Sequence, residues 1–316
     1  MPQAIDVHLN QALTQIAIAY PSGNFISPRF LAEVPVSKQT DAYFIFDSER
    51  QKESQSDDKR TPGSPAHSVD YDVSEGTYAC VDHALQKQVT DEEQANSDPP
   101  LRPFRNAAQY LSDRILVNQE IGLKTILDAN ITQTATPGNN WNTDSGTPIS
   151  DINTAINTIE DATSFTPNVM GMDSKAWRAL RNNPEIVERV LAGGTNDGPA
   201  NITTSGVAEL FGLEEILVST ASKNTAVQGQ TASMSRIWGG DVYLAYRPPV
   251  PALELPAFGY RMVWQFGPGG RGANGYNMFT FRDADETKKS DVVAIEKYYD
   301  QKVTLANAGY RIIAII

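Results

Sequence analysis

The spacing of apolar residues divides the chain into a helical middle and a strand-dominated end. From Pro103 to about Thr132, PFRNAAQYLSDRILVNQEIGLKTILDANIT carries no second proline and is rich in Ala, Leu, Ile, Gln and Glu. That composition predicts one long helix opened by proline. Its apolar positions (Phe104, Ala108, Leu111, Ile115, Val117, Ile121, Leu123, Ile126, Leu127) spread around the rod instead of keeping a heptad stripe. The expectation is therefore a spine with different elements packed along different faces, not a coiled coil.

Before the spine, Leu9, Leu13, Ile16, Ala17 and Tyr20 stand at helical spacing, and predict a short amphipathic helix. Prolines at 21, 28 and 35 follow it. Residues 1–36 hold too little apolar surface for a core of their own, so their hydrophobes are expected to need another surface. DAYFIFD and VDYDVSEGTY read as strands flanking the polar ERQKESQSDDKRTPGSPAH, a long two-stranded excursion with a flexible tip. ACVDHALQKQVTDEEQANSD reads as strand or helix, stopped by Pro99 and Pro100.

After the spine, TQTATPGNNWNTDSGTP is a polar loop. A second helix has Pro148 in its first turn and Ile149, Ile152, Ile156 and Ile159 on one face. From Thr166 strand and helix alternate: TPNVMGMD, then a helix capped by Asp173 or Ser174 and broken at Pro184, a glycine-rich loop, a short helix ending near Gly212, and the strand EEILVSTAS. With SRIWGGDVYLAYRP this predicts a compact α/β module. FGYRMVWQFG and GYNMFTFRD read as a hairpin or paired strands around GPGGRGANG. VVAIEKYYDQKVTLANAGYRIIAII closes the chain as two or three strands, its apolar end expected inside a sheet.

Length, 316 residues, allows two ordinary cores or one elaborated core, and 40% hydrophobic with 20% charged residues fits an ordered chain. The net charge of -12 argues against a surface that grips nucleic-acid phosphates, although not against enclosing DNA without adhering to it. One cysteine, Cys80, excludes an intrachain disulfide. No secretory signal and no transmembrane run stand in the sequence, so no membrane partner is expected.

Candidate chemistry is sparse. His8, His67 and His83 have no metal spacing, and Cys80-Val81-Asp82-His83 is one half of a zinc motif without the other. A Cys80–His83 nucleophile–base pair lacks a third orienting group. Gly267, Gly269, Gly270 and Gly272 fit a hairpin tip better than a phosphate loop, since no Gly-Lys-Ser/Thr follows. Asp91, Glu92 and Glu93 suit a solvated face better than a cation site. Lys52 and Lys59 lie in the long excursion, where isopeptide cross-linking is imaginable, but no acid that would catalyse it is evident. The sequence thus assigns no catalytic, cofactor-binding or metal residue and predicts no cofactor and no enzyme.

The order of pieces nevertheless resembles a family. In PISDINTAINTIEDATSFTPNVMGMDSKAWRALRNNPEIVERV, Pro167-Asn168, Met170, Trp177, Leu180 and Pro184 stand as in many major capsid proteins of tailed bacteriophages, and AELFGLEEILVSTAS is similar to their usual continuation. The resemblance runs over nearly the whole chain and rests on packing positions. It implies an α+β Hong Kong 97-type capsid fold: an N-terminal arm (1–36), an extended two-stranded loop (37–80), a peripheral domain with the long spine helix (81–147), an α/β axial domain (148–255), and return strands of the peripheral domain (256–316).

It also implies copies of the chain in pentamers and hexamers of an icosahedral shell, built in the bacterial host cytoplasm and enclosing double-stranded DNA without sequence-specific binding. The implied partners are a separate scaffolding protein, expected because Met1 opens directly in the arm, a portal, and a decoration protein. The rivals are an encapsulin-like nanocompartment shell, another structural virion protein, and an α/β enzyme drawing on Asn168, Asp173 and Asp241.

Overall fold

The computed structural model describes residues 8–9, 25–46, 59–65, 73–97, 102–192, 202–227, 229–251, 256–265 and 276–316. Its spine is helix α3, Pro103–Asn130, 28 residues starting at proline and about 42 Å long at 1.5 Å per residue. Its two ends serve different cores. Ala107, Ala108, Leu111 and Ile115 pack on Val89, Met278, Val293 and Ile295 of a six-stranded sheet. Leu123 and Leu127 instead join Phe30, Leu31, Trp238, Tyr243 and Phe258. This is why the apolar positions spread around the rod.

The six-stranded sheet is built on β14, Ser290–Val303. Strand β5, Val81–Thr90, pairs antiparallel along one edge of it over ten residues. Along the other edge lie β13, Tyr276–Arg282, and β12, Gly259–Trp264, end to end: Tyr299 faces Val81 on one side and Val263 on the other. The sequence reading of β12 and β13 as partners of each other is therefore corrected. Each pairs with β14, whose fourteen residues leave room for both. Strand β2, Ala32–Val36, adds parallel to β12, and β1, His8–Leu9, adds antiparallel to β13.

A five-stranded sheet has the order β6 (Thr134–Ala135), β15 (Gly309–Ile312), β11 (Val242–Ala245), β7 (Val169–Asp173), β8 (Glu215–Ser219). Every residue of β7 is buried, as expected of a central strand covered on both faces. One face carries α4 (Pro148–Thr163), α5 (Ser174–Asn182), α6 (Pro184–Ala192) and α7 (Thr204–Leu210). Their Ile152, Ile156, Ile159, Trp177, Leu180, Ile186 and Val207 fill that core. Local signals hold here: the Asp173 carboxylate accepts from Lys175 N at 2.7 Å as the cap of α5, and α5 stops one residue short of Pro184. Gly212, with φ +68, ends α7 where a Cβ would be strained.

Two further expectations change, and a third is largely untested. The closing strand β15 joins the five-stranded sheet, not the return strands, because Val242–Ala245 offers it a fully apolar partner. The polar loop at 131–147 hides Trp141, fully buried, with its backbone N donating to Ile315 O. Most of the helix expected over Leu9–Tyr20 lies outside the described residues, while Leu9 itself is in a strand. From Phe25 onward the N-terminal segment finds its surface within its own subunit. Ile26, Phe30 and Leu31, around helix α1 (Ser27–Phe30), are buried against the spine and the five-stranded sheet.

Where α3 passes between its two cores, the packing turns polar. Arg261 and Lys297, each 1% exposed, share the carboxylate of Glu33 at 3.6 and 3.7 Å. Burial, with Arg261 close by, pushes the Lys297 ammonium down to about 7. An unfolded lysine stays protonated to a higher pH, so the unfolded chain binds more protons above pH 7 and this group makes stability rise from pH 7 toward 10. Denaturant midpoints measured across that range should climb in the natural chain and climb less in Lys297→Met. Parallel pH profiles would show that burial of this ammonium does not act on stability.

Candidate assembly surfaces

The residues with chemical potential are occupied structurally. The Cys80 thiol is buried and donates to Met262 O at 3.6 Å, and burial pushes it up to about 11. His83 stacks on Tyr299 with ring centroids 4.2 Å apart, and burial lowers its imidazole. Asp91 receives both Arg282 guanidinium nitrogens at 2.5 and 2.7 Å, which holds its carboxyl below the usual range, and Glu93 faces Lys87 at 3.7 Å.

Asn168 bridges strands, donating to Arg247 O and accepting from Arg247 N. Asp241 sits in a network with Lys124, Asp128, Tyr243 and Arg311. Burial would raise its carboxyl, but the Ala314 amide, Arg311 and Lys124 outweigh that and lower it. No cluster of three metal-ligating side chains occurs among the described residues. Gly267, Gly269, Gly270, Gly272, Lys52 and His67 lie outside them, and Lys59 is exposed in the turn segment 59–65.

What the subunit offers instead is unfinished surface. Strands β3 (Thr40–Phe46) and β4 (Val73–Ala79) form a separate two-stranded antiparallel sheet, about 23 Å long at 3.3 Å per residue. Its base is anchored. Cys80 N donates to Gln39 O, Ala79 N donates to the Asp300 carboxylate at 3.0 Å, and Tyr43 and Tyr78 pack with Val34, Val36 and Met262. Tyr43 lies directly across from Gly76, over the space a Cβ would need. Beyond the base nothing covers it among the described residues: Phe44 is 64% and Val73 41% exposed. A lone pair of strands is marginal in water, and these apolar groups gain burial only from another surface.

In the sequence between the two strands, Pro62 and Gly63 (φ +91) form a type II turn closed by Ser64 N donating to Thr61 O. Elsewhere Val81, Tyr110, Val227, Met234 and Val250 are exposed on separate elements. The outer edge of β5 has no strand partner among the described residues. A long open edge of this kind is ordinarily covered.

A long spine between two sheets with a projecting strand pair has known counterparts. No protein-family model matches the chain. It is 26% identical over 245 residues to a major capsid protein of Pseudomonas phage JBD67, covering 76% of this chain and 77% of that one. Among solved structures it resembles a phage-related protein of Bordetella bronchiseptica RB50, with TM-score 0.70, 21% identity and 97% of both chains covered. It also resembles the capsid of Cyanophage P-SCSP1u, with TM-score 0.58, 10% identity, and 91% of this chain and 87% of that one covered. The chain has the Hong Kong 97 fold and is similar in sequence to a phage major capsid protein.

For a capsid protein the exposed apolar groups acquire a reason. Self-association into a shell needs several patches on different sides of one subunit, each meeting a different patch on its neighbour. Phe44 and Val73, Val81, Tyr110, and Val227 with Met234 are exposed apolar groups on different elements. The signal for them in the sequence was the strand pattern of DAYFIFD, apolar on both faces of a strand with no core of its own.

Buried beneath these surfaces is a polar junction that sequence reasoning missed. Glu120, fully buried in mid-spine, accepts from Ile26 N at 3.1 Å, Ser27 N at 2.7 Å, Ser219 Oγ at 3.1 Å and Trp238 Nε1 at 2.5 Å. Gln119 donates to Ser27 Oγ at 3.0 Å, and Arg261 donates to Ser27 O at 2.6 Å. Burial raises the Glu120 carboxyl against the pull of these four donors. A glutamate inside a polar-looking helix gives no hint in sequence of such a role.

Proposed function

We propose that copies of this capsid protein close into pentamers and hexamers of an icosahedral shell around double-stranded DNA, in particles assembled in the bacterial host cytoplasm. The observation that carries the reading is the β3–β4 strand pair, fastened at its base and apolar where it is exposed. A subunit built this way is stabilised by its neighbours, so the shell is more stable than its parts. The negative balance of the chain suits a wall that holds DNA without binding it tightly. The role is structural, with no catalytic step. A scaffolding protein and a portal accompany assembly, and a decoration protein takes the outer surface.

Within the subunit, residues 37–80 act as the extended loop. Residues 81–147 with 256–308 act as the peripheral domain, and 148–255 as the axial domain. The terminal strand is grouped with the axial domain because β15 pairs with β11. A nanocompartment shell shares this architecture; the sequence relative in a phage favours the capsid reading. Sedimentation and negative-stain microscopy of the purified chain, alone and with its scaffolding partner, should show rings and shells. A monomer under every condition, including with the scaffold, would reject the proposal.

A further inference from the structure

The longest free strand edge among the described residues is that of β5, ten residues from Val81 to Thr90. The other free edges are shorter. Strands β1 and β6 have two residues each, β9 (Ser222–Asn224) and β10 (Met234–Arg236) three, β8 five, β3 and β4 seven, and β2 five with Pro35 among them. Edge strands are ordinarily guarded by proline, a bulge or brevity. Strand β5 has none of these: it holds no Pro or Gly, and its pairing with β14 runs from Val81↔Tyr299 to Thr90↔Ser290 without a bulge. It ends only where Thr90 caps the short helix α2, Asp91–Ala95.

A strand that meets its own copy across a two-fold axis pairs antiparallel. Odd-numbered residues then face odd-numbered ones, because alternate residues turn their N–H and C=O groups to the same edge. Centred on Leu85, that register sets Val81 against Val89, His83 against Lys87 and Leu85 against its own copy, all on the face under the spine; on the other face Asp82 meets Gln88 and Ala84 meets Gln86. No two carboxylates and no two lysines meet. Val81, 58% exposed in the subunit, comes beside Val89, which is buried in the core of Ala108, Leu111 and Ile115, and Leu85 packs at the margin of the same core. The neighbouring registers, centred on Ala84 or Gln86, set Val81 against Lys87 or Asp91 instead.

We infer that the outer edge of β5 pairs antiparallel with β5 of a second copy of this chain, across a two-fold axis at Leu85. The pairing makes one continuous sheet from two subunits, with both spine helices on the same face. Residues 81–89 of each copy take part, about 30 Å of ladder at 3.3 Å per residue. A contact of this kind is isologous and closes after two copies. The β3–β4 pair offers the heterologous contact that builds a ring, which leaves the β5 contact to join one ring to the next. That placement rests on the shell reading; the pairing itself does not.

The test is disulfide trapping and light scattering of the full chain. Under mild oxidation, copies carrying Ala84→Cys mixed with copies carrying Gln86→Cys should cross-link at least about tenfold more than Asp82→Cys copies do among themselves, since 84 and 86 lie opposite one another and 82 lies far from its own copy. Cys80 is buried and should not compete. Two charge variants read the register. Ala84→Lys with Gln86→Glu sets opposite charges across the axis and should keep the association, while Ala84→Lys with Gln86→Lys sets like charges and should weaken it at least about tenfold. The subunit tolerates Ala84→Lys because Ala84 faces Glu296 on β14, so the unfolding midpoint should be retained and rings should form without shells in the second variant. Absence of the 84–86 cross-link, or charge variants that associate alike, would overturn the inference. A natural chain that forms no shell while the 84–86 disulfide still forms would reject the shell reading and support the pairing.

Discussion

Replacing Glu120 by alanine is expected to cost on the order of 3–5 kcal/mol and to unfasten the N-terminal segment from the core, the largest stability effect of any single change considered for this chain. The carboxylate satisfies two backbone amides of the segment, Ile26 and Ser27, together with Ser219 of β8 and the Trp238 indole. Alanine would leave those buried donors without an acceptor and open a void beside Phe30 and Trp238, whose rings lie 6.3 Å apart. Glu120→Gln keeps one acceptor oxygen but turns an NH2 group toward other donors, so a smaller loss is expected. Hydrogen exchange at Ile26 and Ser27 and the denaturant midpoint would report both effects. Unchanged protection of those amides in the alanine variant would mean that apolar packing of Ile26 and Phe30 alone holds the segment.

Phe44→Asp combined with Val73→Asp is expected to leave the subunit folded and to abolish shells. Both side chains are exposed in the subunit, so its own stability should move by no more than about 0.5 kcal/mol. In an assembled interface each would place a charge where an apolar group was to be buried, costing several kcal/mol per contact. That cost recurs in every copy. Gel filtration and light scattering would separate the outcomes. Shells formed at normal yield would show that the β3–β4 pair faces solvent in the particle.

Much of the fold was legible where the signal is local. Pro103 and the residues after it mark the spine, the isoleucines of α4 mark its buried face, Asp173 caps α5, and Pro184 separates α5 from α6. Pairings across long separations were not. Strands β12 and β13 look like a hairpin because they are neighbours in sequence, and only the length of β14 between Ser290 and Val303 lets both lie along it. The destination of β15 depends on β11, sixty-four residues earlier by the pairing of Gly309 with Ala245.

Polar groups that serve the interior were the least legible. Glu120 and Lys297 carry charges that normally mark a surface, and Trp141 stands alone in a loop of polar residues. The capsid reading came from the order of elements, and no catalytic motif competed with it.

The most direct test is a cryo-EM reconstruction of the assembled particle, read at Phe44 and Val73. Both side chains should be buried against a neighbouring copy, with β3 and β4 still paired as Thr40↔Ala79 through Phe46↔Val73. A reconstruction in which the strand pair folds onto its own subunit, or stands in solvent while the shell closes without it, would contradict the view that copies of this chain complete one another.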